Sequence, residues 1–303
     1  MQKKEMAGLM VIAAGCLWGV IGLFSRKLSA VGFDAVQITA LRSLVTAAGL
    51  FLLLFCKDRK LCRIDWKDLW MFLGTGICSI AGFNIFYFVT ISITTLSVAA
   101  ILLYTAPFFV MVLSAALFHE KITAQKVKGL VLALAGCICT TGIFSGSIHV
   151  TVLGILTGVA SGFCYALYSI FGKFALKKYT SETVTLYTFL MASAAMLPLS
   201  HPADMFSLAV SDFSLTGGIL LLGLVCTLLP FLLYTRGLSR MDSGKASVLA
   251  FAEPLTATLM GVVAFGEVPD GFGWLGVILL FGALVLLQMP QKQRKTGKIP
   301  NIL

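Results

Sequence analysis

Long apolar runs follow one another along this 303-residue chain, and that pattern limits its fold more than any other feature. Runs of spanning length lie at about 6–25, 35–56, 69–91, 96–118, 127–144, 151–172, 182–200, 215–235, 246–266 and 272–289. A helix crosses the hydrocarbon of a bilayer with about 20 mostly apolar residues, so ten crossings use roughly 200 residues and leave short loops. Strands fit poorly, because the runs are too long and lack the period-two alternation of a membrane barrel. Charged residues make up 12% of the chain, against roughly a quarter in soluble domains, and the mean hydropathy is +0.96. A water-soluble fold would have too little polar surface to cover itself. The expected fold is an all-α integral membrane protein with ten transmembrane helices.

The formal charge of +10 raises the question of nucleic acid. Its placement answers no, because Lys and Arg fall in short groups between apolar runs rather than on one basic face. With the N-terminus inside, 20 of the 23 basic residues fall in inner segments. Only Arg26 and Lys27 fall outside, and Arg42 lies within a run. The positive-inside rule then puts both termini in the cytoplasm. The first run is too long for a cleaved leader and is read as a retained helix. The basic segment Lys57–Lys67, with Trp66, reads as a topology signal alone, the alternative being contact with anionic lipid headgroups.

The chain repeats itself at an offset of 147 residues. Gly15 meets Gly162, Phe24 meets Phe171, Gly76 meets Gly223 and Tyr87 meets Tyr234. Ala99 meets Ala246, Pro107 meets Pro254, Glu120 meets Glu267, and Gly129 meets Gly276. Trp18 faces Tyr165, and Arg26 faces Lys173. Each repeat holds five runs, an odd number, so the second half enters the membrane from the opposite side. Two inverted halves that rock about a site near the midplane are a recurrent plan of secondary transporters. The expected division is a first five-helix repeat over 1–144, a second over 145–290, and a basic cytoplasmic tail over 291–303.

Several short patterns carry a family resemblance. Helix 1 reads Gly15-Cys16-Leu17-Trp18-Gly19, and helix 2 carries Leu41-Arg42. Helix 4 carries Ala106-Pro107 and closes on His119-Glu120-Lys121, while helix 9 reads Ala252-Glu253-Pro254 and closes on Gly266-Glu267. Together with the repeat, these resemble the ten-helix EamA-like members of the drug/metabolite transporter superfamily over nearly the whole chain. The resemblance implies a ten-helix bundle with a central cavity that exports or imports small organic solutes. It also implies structural roles at the membrane edge for Glu120 and Glu267.

Ionisable groups at membrane depth are costly and mark function. Two stand out: Arg42, about seven positions into its run, and Glu253, about seven into its own. At the 147 offset Arg42 faces Phe189 and Glu253 faces Ala106, so neither has a counterpart in the other half. Arg42 offers a planar fork to a carboxylate or phosphate, and Glu253 binds a cationic group or takes a coupling proton. The alternatives are a structural ion pair, or an Arg42 that snorkels to the outer headgroups. Trp18, Asn84, Tyr87, Tyr104, Tyr165, Tyr168 and Tyr234 also fall within runs and suit the lining of a largely aromatic cavity. Ordinary helix packing is their alternative reading.

No enzymatic, metal or cofactor site is expected. His119, His149 and His201 sit apart in loops, and HExxH, GxSxG and P-loop patterns are missing. The eight cysteines form no CxxC pair and read as packing residues. The expected protein is therefore a multi-pass transporter of small metabolites in a bacterial plasma membrane, with protons as a candidate coupling ion, lipid around it and no nucleic-acid partner. Amino-acid or related export leads. Vitamin or nucleoside uptake, or a non-transporting sensor or assembly protein, are the alternatives.

Overall fold

Most of the long apolar runs begin where a short polar side chain caps them. Asp34 Oδ1 accepts from the Gln37 backbone N–H at 2.7 Å while Gln37 Oε1 accepts from Asp34 N–H at 3.1 Å, a reciprocal capping box. Thr95, Thr123, Thr151, Thr180, Asp212 and Asp270 cap later helices in the simpler way. A computed structural model describes residues 2–143 and 150–289. The expected tail over 291–303 and His149 lie outside the described residues. Among the described residues the chain is helical, with no strand.

We label the main helices α1 (Glu5–Val31), α2 (Ala35–Lys57), α3 (Trp66–Ile93), α4 (Leu96–Phe118), α5 (Ala124–Thr140), α6 (Val152–Ala175), α7 (Ser181–Leu199), α8 (Phe213–Leu238), α9 (Ser243–Phe265) and α10 (Gly271–Gln288). All but α5 are long and apolar enough to cross a membrane, which gives nine such helices among the described residues where the sequence suggests ten. The exception has 17 residues, because Gly142 takes a left-handed φ of 67° just past its end. Helix α1 runs further than expected, so Arg26 and Lys27 lie in its last turns rather than in a loop. Outward-facing side chains such as Leu52, Val131, Leu156, Ile278 and Phe281 are more than half exposed, a surface suited to lipid and not to water.

Packing follows the repeat. Helix α2 lies on its equivalent α7, and α5 on its equivalent α10. The pairing of α3 with α6 has its counterpart in α8 with α1, and that of α1 with α9 in α6 with α4. Even the irregularities recur. A π-helical stretch interrupts α3 at Gly74–Ala81 and α8 at Leu224–Leu228, beside the equivalent Gly76 and Gly223. Helix α4 is broken at Tyr104 and Thr105, and α9 at Ala250 and Phe251. Pro107 and Pro254 sit in the first turn of the segments that restart, where a missing N–H costs nothing.

Outside the bundle, Lys178 bonds Asp65 and Asp68, the latter at 2.6 Å, and so ties the segment before α3 to the end of α6. The hydrogen bonds it donates to Asp65 and Asp68 hold its ammonium group charged to higher pH than usual.

Candidate functional site

The broken helices set the site. In α9 the break at Ala250 and Phe251 places Glu253 in the first turn of Ala252–Phe265. Helix α1 presses against this point through two glycines. A Cβ on Gly15 would stand 2.9 Å from Ala250 O, and one on Gly19 would stand 2.6 Å from Glu253 O. Only glycine allows so close an approach of the two backbones. Glu253 sits ten positions past the start of α9 at Ser243, about 15 Å along the axis and deeper than the sequence suggests.

Glu253 lines a small cavity, about 20 Å³, with Tyr104, Pro107, Tyr165, Ser247 and Phe251. Tyr165 Oη donates to Glu253 Oε2 at 3.4 Å. Tyr165 is also a wall of a second small cavity, about 20 Å³, shared with Trp18, Ser79, Tyr168, Phe231 and Tyr234. Tyr104 in turn is a wall of a third and much larger one, about 650 Å³, which reaches Arg26 and Glu267 at one end of the bundle. The three spaces therefore adjoin through two tyrosines.

Within the second cavity the tyrosine hydroxyls are already satisfied. Tyr168 Oη bonds Thr235 Oγ1 at 2.6 Å, and Tyr234 Oη bonds Ser169 Oγ at 2.7 Å. Trp18 stands edge-on to Phe231, with centroids 5.0 Å apart. Its Nε1, and the hydroxyl of Ser79, are buried without a hydrogen-bond partner among the described residues. Such groups are costly to leave unpaired, and a bound solute with an acceptor would satisfy them.

Arg42 is only 8% exposed, so it does not snorkel to a headgroup. It forms no hydrogen bond and no ion pair among the described residues, and this sets aside the structural ion pair with Glu253. Glu253 and Tyr165 are nonetheless within electrostatic reach of it. The helix around it is polar on the same side: Thr39 Oγ1 donates to Asn84 Oδ1 at 3.2 Å and Thr46 Oγ1 to Gly223 O at 2.8 Å.

The structure thus brings together Trp18, Tyr104, Tyr165, Tyr168, Tyr234 and Glu253 around adjoining cavities, with Arg42 within electrostatic reach of Glu253. Asn84 is not among them. Its amide donates to Ile80 O at 2.7 Å and accepts from Thr39, which makes it a link between α2 and α3. Tyr87 lies near Glu253 electrostatically but lines none of the three cavities. The sequence reading missed Ser79, Phe231 and Phe251. Phe251 was open to detection, since it is the repeat equivalent of Tyr104 and stacks on it with centroids 5.6 Å apart.

Comparison with known proteins agrees with this architecture. The chain resembles the uncharacterized transporter YwfM of Bacillus subtilis, at 27% identity over 96% of this chain and 97% of the relative. An uncharacterized transporter of Archaeoglobus fulgidus is 31% identical over 85% of this chain and 87% of its own. A protein of Salmonella typhimurium named "probable amino-acid metabolite efflux pump" is 23% identical over 76% of this chain and 80% of its own. A solved crystal structure, 23% identical, superposes with a TM-score of 0.77 over 94% of this chain and 96% of that one, which supports the fold. The pattern of the EamA-like transporter family matches residues 6–142 and again 152–289. The chain is a multi-pass plasma-membrane transporter that belongs to the EamA-like transporter family.

Proposed function

We propose that the protein carries small zwitterionic solutes of the amino-acid class across the membrane by alternating access, with no nucleotide hydrolysis and no catalytic step. The observation that carries this reading is the buried, unpaired guanidinium of Arg42 within electrostatic reach of the Glu253 carboxylate. A cation and an anion held apart in a low-dielectric cavity match a solute that bears one carboxylate and one ammonium group. The Salmonella relative, named "probable amino-acid metabolite efflux pump", favours export as the direction. Protons are the proposed coupling ion, loaded at Glu253.

Counterflow into proteoliposomes tests this, with a mixed pool of labelled amino acids, nucleosides and organic cations. Wild type and Glu253→Gln are run at mildly acidic and mildly alkaline pH. Amino-acid uptake by wild type, with a pH response that the variant loses, supports both parts of the proposal. A second reading, carriage of a nucleoside or vitamin, is favoured by the aromatic walls of the Trp18–Tyr168–Phe231 cavity, which suit a flat ring. Nucleoside uptake without amino-acid uptake would replace the first reading with the second.

A further inference from the structure

Two ion pairs at opposite ends of the bundle are equivalents in the repeat. The offset of 147 carries Arg26 onto Lys173 and Glu120 onto Glu267. Arg26 Nη1 lies 2.8 Å from Glu267 Oε1, and Lys173 Nζ lies 3.9 Å from Glu120 Oε1.

Their surroundings are opposite. The Glu120 side chain is 8% exposed. It accepts from the backbone N–H of Ser243 at 2.9 Å, from the Ser243 hydroxyl at 3.2 Å and from Gly244 N–H at 3.3 Å. Lys173 Nζ fixes the preceding turn through Leu238 O at 3.0 Å and Met241 O at 2.6 Å. Buried Lys126 adds a pair with Asp242 at 2.9 Å. The start of α9, Ser243–Leu249, is therefore pressed onto the second part of α4, and all of it but Lys245 is buried.

At the other end Glu267 is half exposed and its carboxylate meets Arg26. The equivalents of Ser243 and Gly244 are Leu96 and Ser97, at the start of α4. Neither is held by Glu267. Leu96 is 60% exposed, and the Ser97 hydroxyl donates to Thr141 O. The 650 Å³ space lies between them, lined by Leu96 and Ser97 on one side and Thr258 and Glu267 on the other. The same contact is thus made at one end and parted at the other.

We propose that Glu120 and Glu267 are reciprocal latches of the transport cycle, each closing one end of the bundle by gripping the backbone N–H groups at the start of the facing broken helix. Glu120 grips α9 in this conformation. Glu267 grips Leu96 and Ser97 of α4 in the alternate one, when Glu120 lets go. The inverted repeat supplies the reason: exchanging the conformations of the two halves turns the closed end into the open one. The latches are positioning residues, and they need touch no solute.

Cys139 lines the parted end and reports on it. The test labels the full-length protein in nanodiscs with a charged maleimide and reads the rate at Cys139 by peptide mass spectrometry. It needs no substrate, so it stands apart from the proposed solute class. Glu120→Gln weakens the latch of the conformation seen here, and the Cys139 rate is expected to fall by roughly threefold to tenfold. Glu267→Gln weakens the opposite latch, and the rate is expected to hold or rise. The double variant is expected to return to within about twofold of wild type, because both conformations then lose a latch. Should Glu120→Gln not fold, Glu120→Asp, still charged but one methylene shorter, is expected to lower the rate in its place. A fall in Glu267→Gln, or an unchanged or raised rate in the Glu120 variant, overturns the proposal.

Discussion

Residues 42 and 189 occupy the same place in the two repeats, on helices that pack on each other, yet they solve that place in opposite ways. Phe189 is fully buried and meets Phe231 edge-on, with centroids 4.8 Å apart. Arg42 is nearly as buried and meets no partner among the described residues. A buried cation with no directly bonded counter-charge costs several kcal/mol, and a second phenylalanine would not. The contrast separates two kinds of position. Where the halves agree, as at Gly76 and Gly223 or Pro107 and Pro254, the residues build the frame. Where they differ, stability is given up for a chemical group facing the interior.

Exchanging the two residues tests this most severely. Phe189→Arg places a second unpaired guanidinium against Phe231, at an expected cost of about 3–5 kcal/mol, enough to abolish folding. Size-exclusion of the detergent-solubilised protein should show loss of the monodisperse species. A stable, monodisperse Phe189→Arg protein would break the comparison outright. Arg42→Phe is the reverse case. It should fold with an unchanged or higher apparent melting temperature, while counterflow of zwitterionic solutes falls about a hundredfold, in line with roughly 3 kcal/mol for a charge-assisted fork. Transport that survives Arg42→Phe would assign the guanidinium to structure.

Much of this was legible in the residue order. The apolar runs gave the helices, and the 147 offset located equivalents that the packing respects, including breaks beside Pro107 and Pro254. Runs of hydropathy were poorer at ends, because Arg26 and Lys27 stay helical on the last turns of α1 and Gly142 cuts α5 short. The lining of the cavities was half legible. Rare aromatic residues pointed to Trp18, Tyr165 and Tyr168, whereas Ser79 is one small hydroxyl among many and carries no signal until the helices are assembled. Asn84 misled for a related reason: its partners, Ile80 O and Thr39, lie one turn away and on a neighbouring helix. Nor does sequence show that Glu120 reaches Ser243, 123 residues on, since that contact forms only when the helices assemble.

A second pair of equivalents sharpens the contrast on a smaller scale. Glu253 stands where α4 has Ala106, each in the first turn after a break. Glu253→Ala makes the two breaks alike. It should leave folding intact and lower counterflow of ammonium-bearing solutes by about tenfold to a hundredfold, and have little effect on solutes without that group. Equal losses for both kinds of solute would show that the carboxylate shapes the cavity rather than reading the solute. Tyr165→Phe removes the 3.4 Å hydrogen bond to that carboxylate, and with a contact so long the loss in rate should stay near threefold.

The smallest effect belongs to the exposed latch pair. Arg26 and Glu267 have side chains 57% and 50% exposed, so solvent screens them despite a separation of 2.8 Å. Such pairs contribute about 0–1 kcal/mol. Arg26 also lies over the Phe265 ring at 4.4 Å, a contact that solvent weakens in the same way. Arg26→Gln should therefore shift the apparent melting temperature by less than about 3 °C. Its repeat equivalent lies in the buried setting, where Lys173 holds Leu238 O, Met241 O and the side of Glu120 together. Lys173→Gln leaves those acceptors without their donor and should cost more, about 2 kcal/mol or above. Equal melting shifts for the two variants would mean that burial does not distinguish the two ends, and the asymmetry between closed and parted faces would lose its energetic basis.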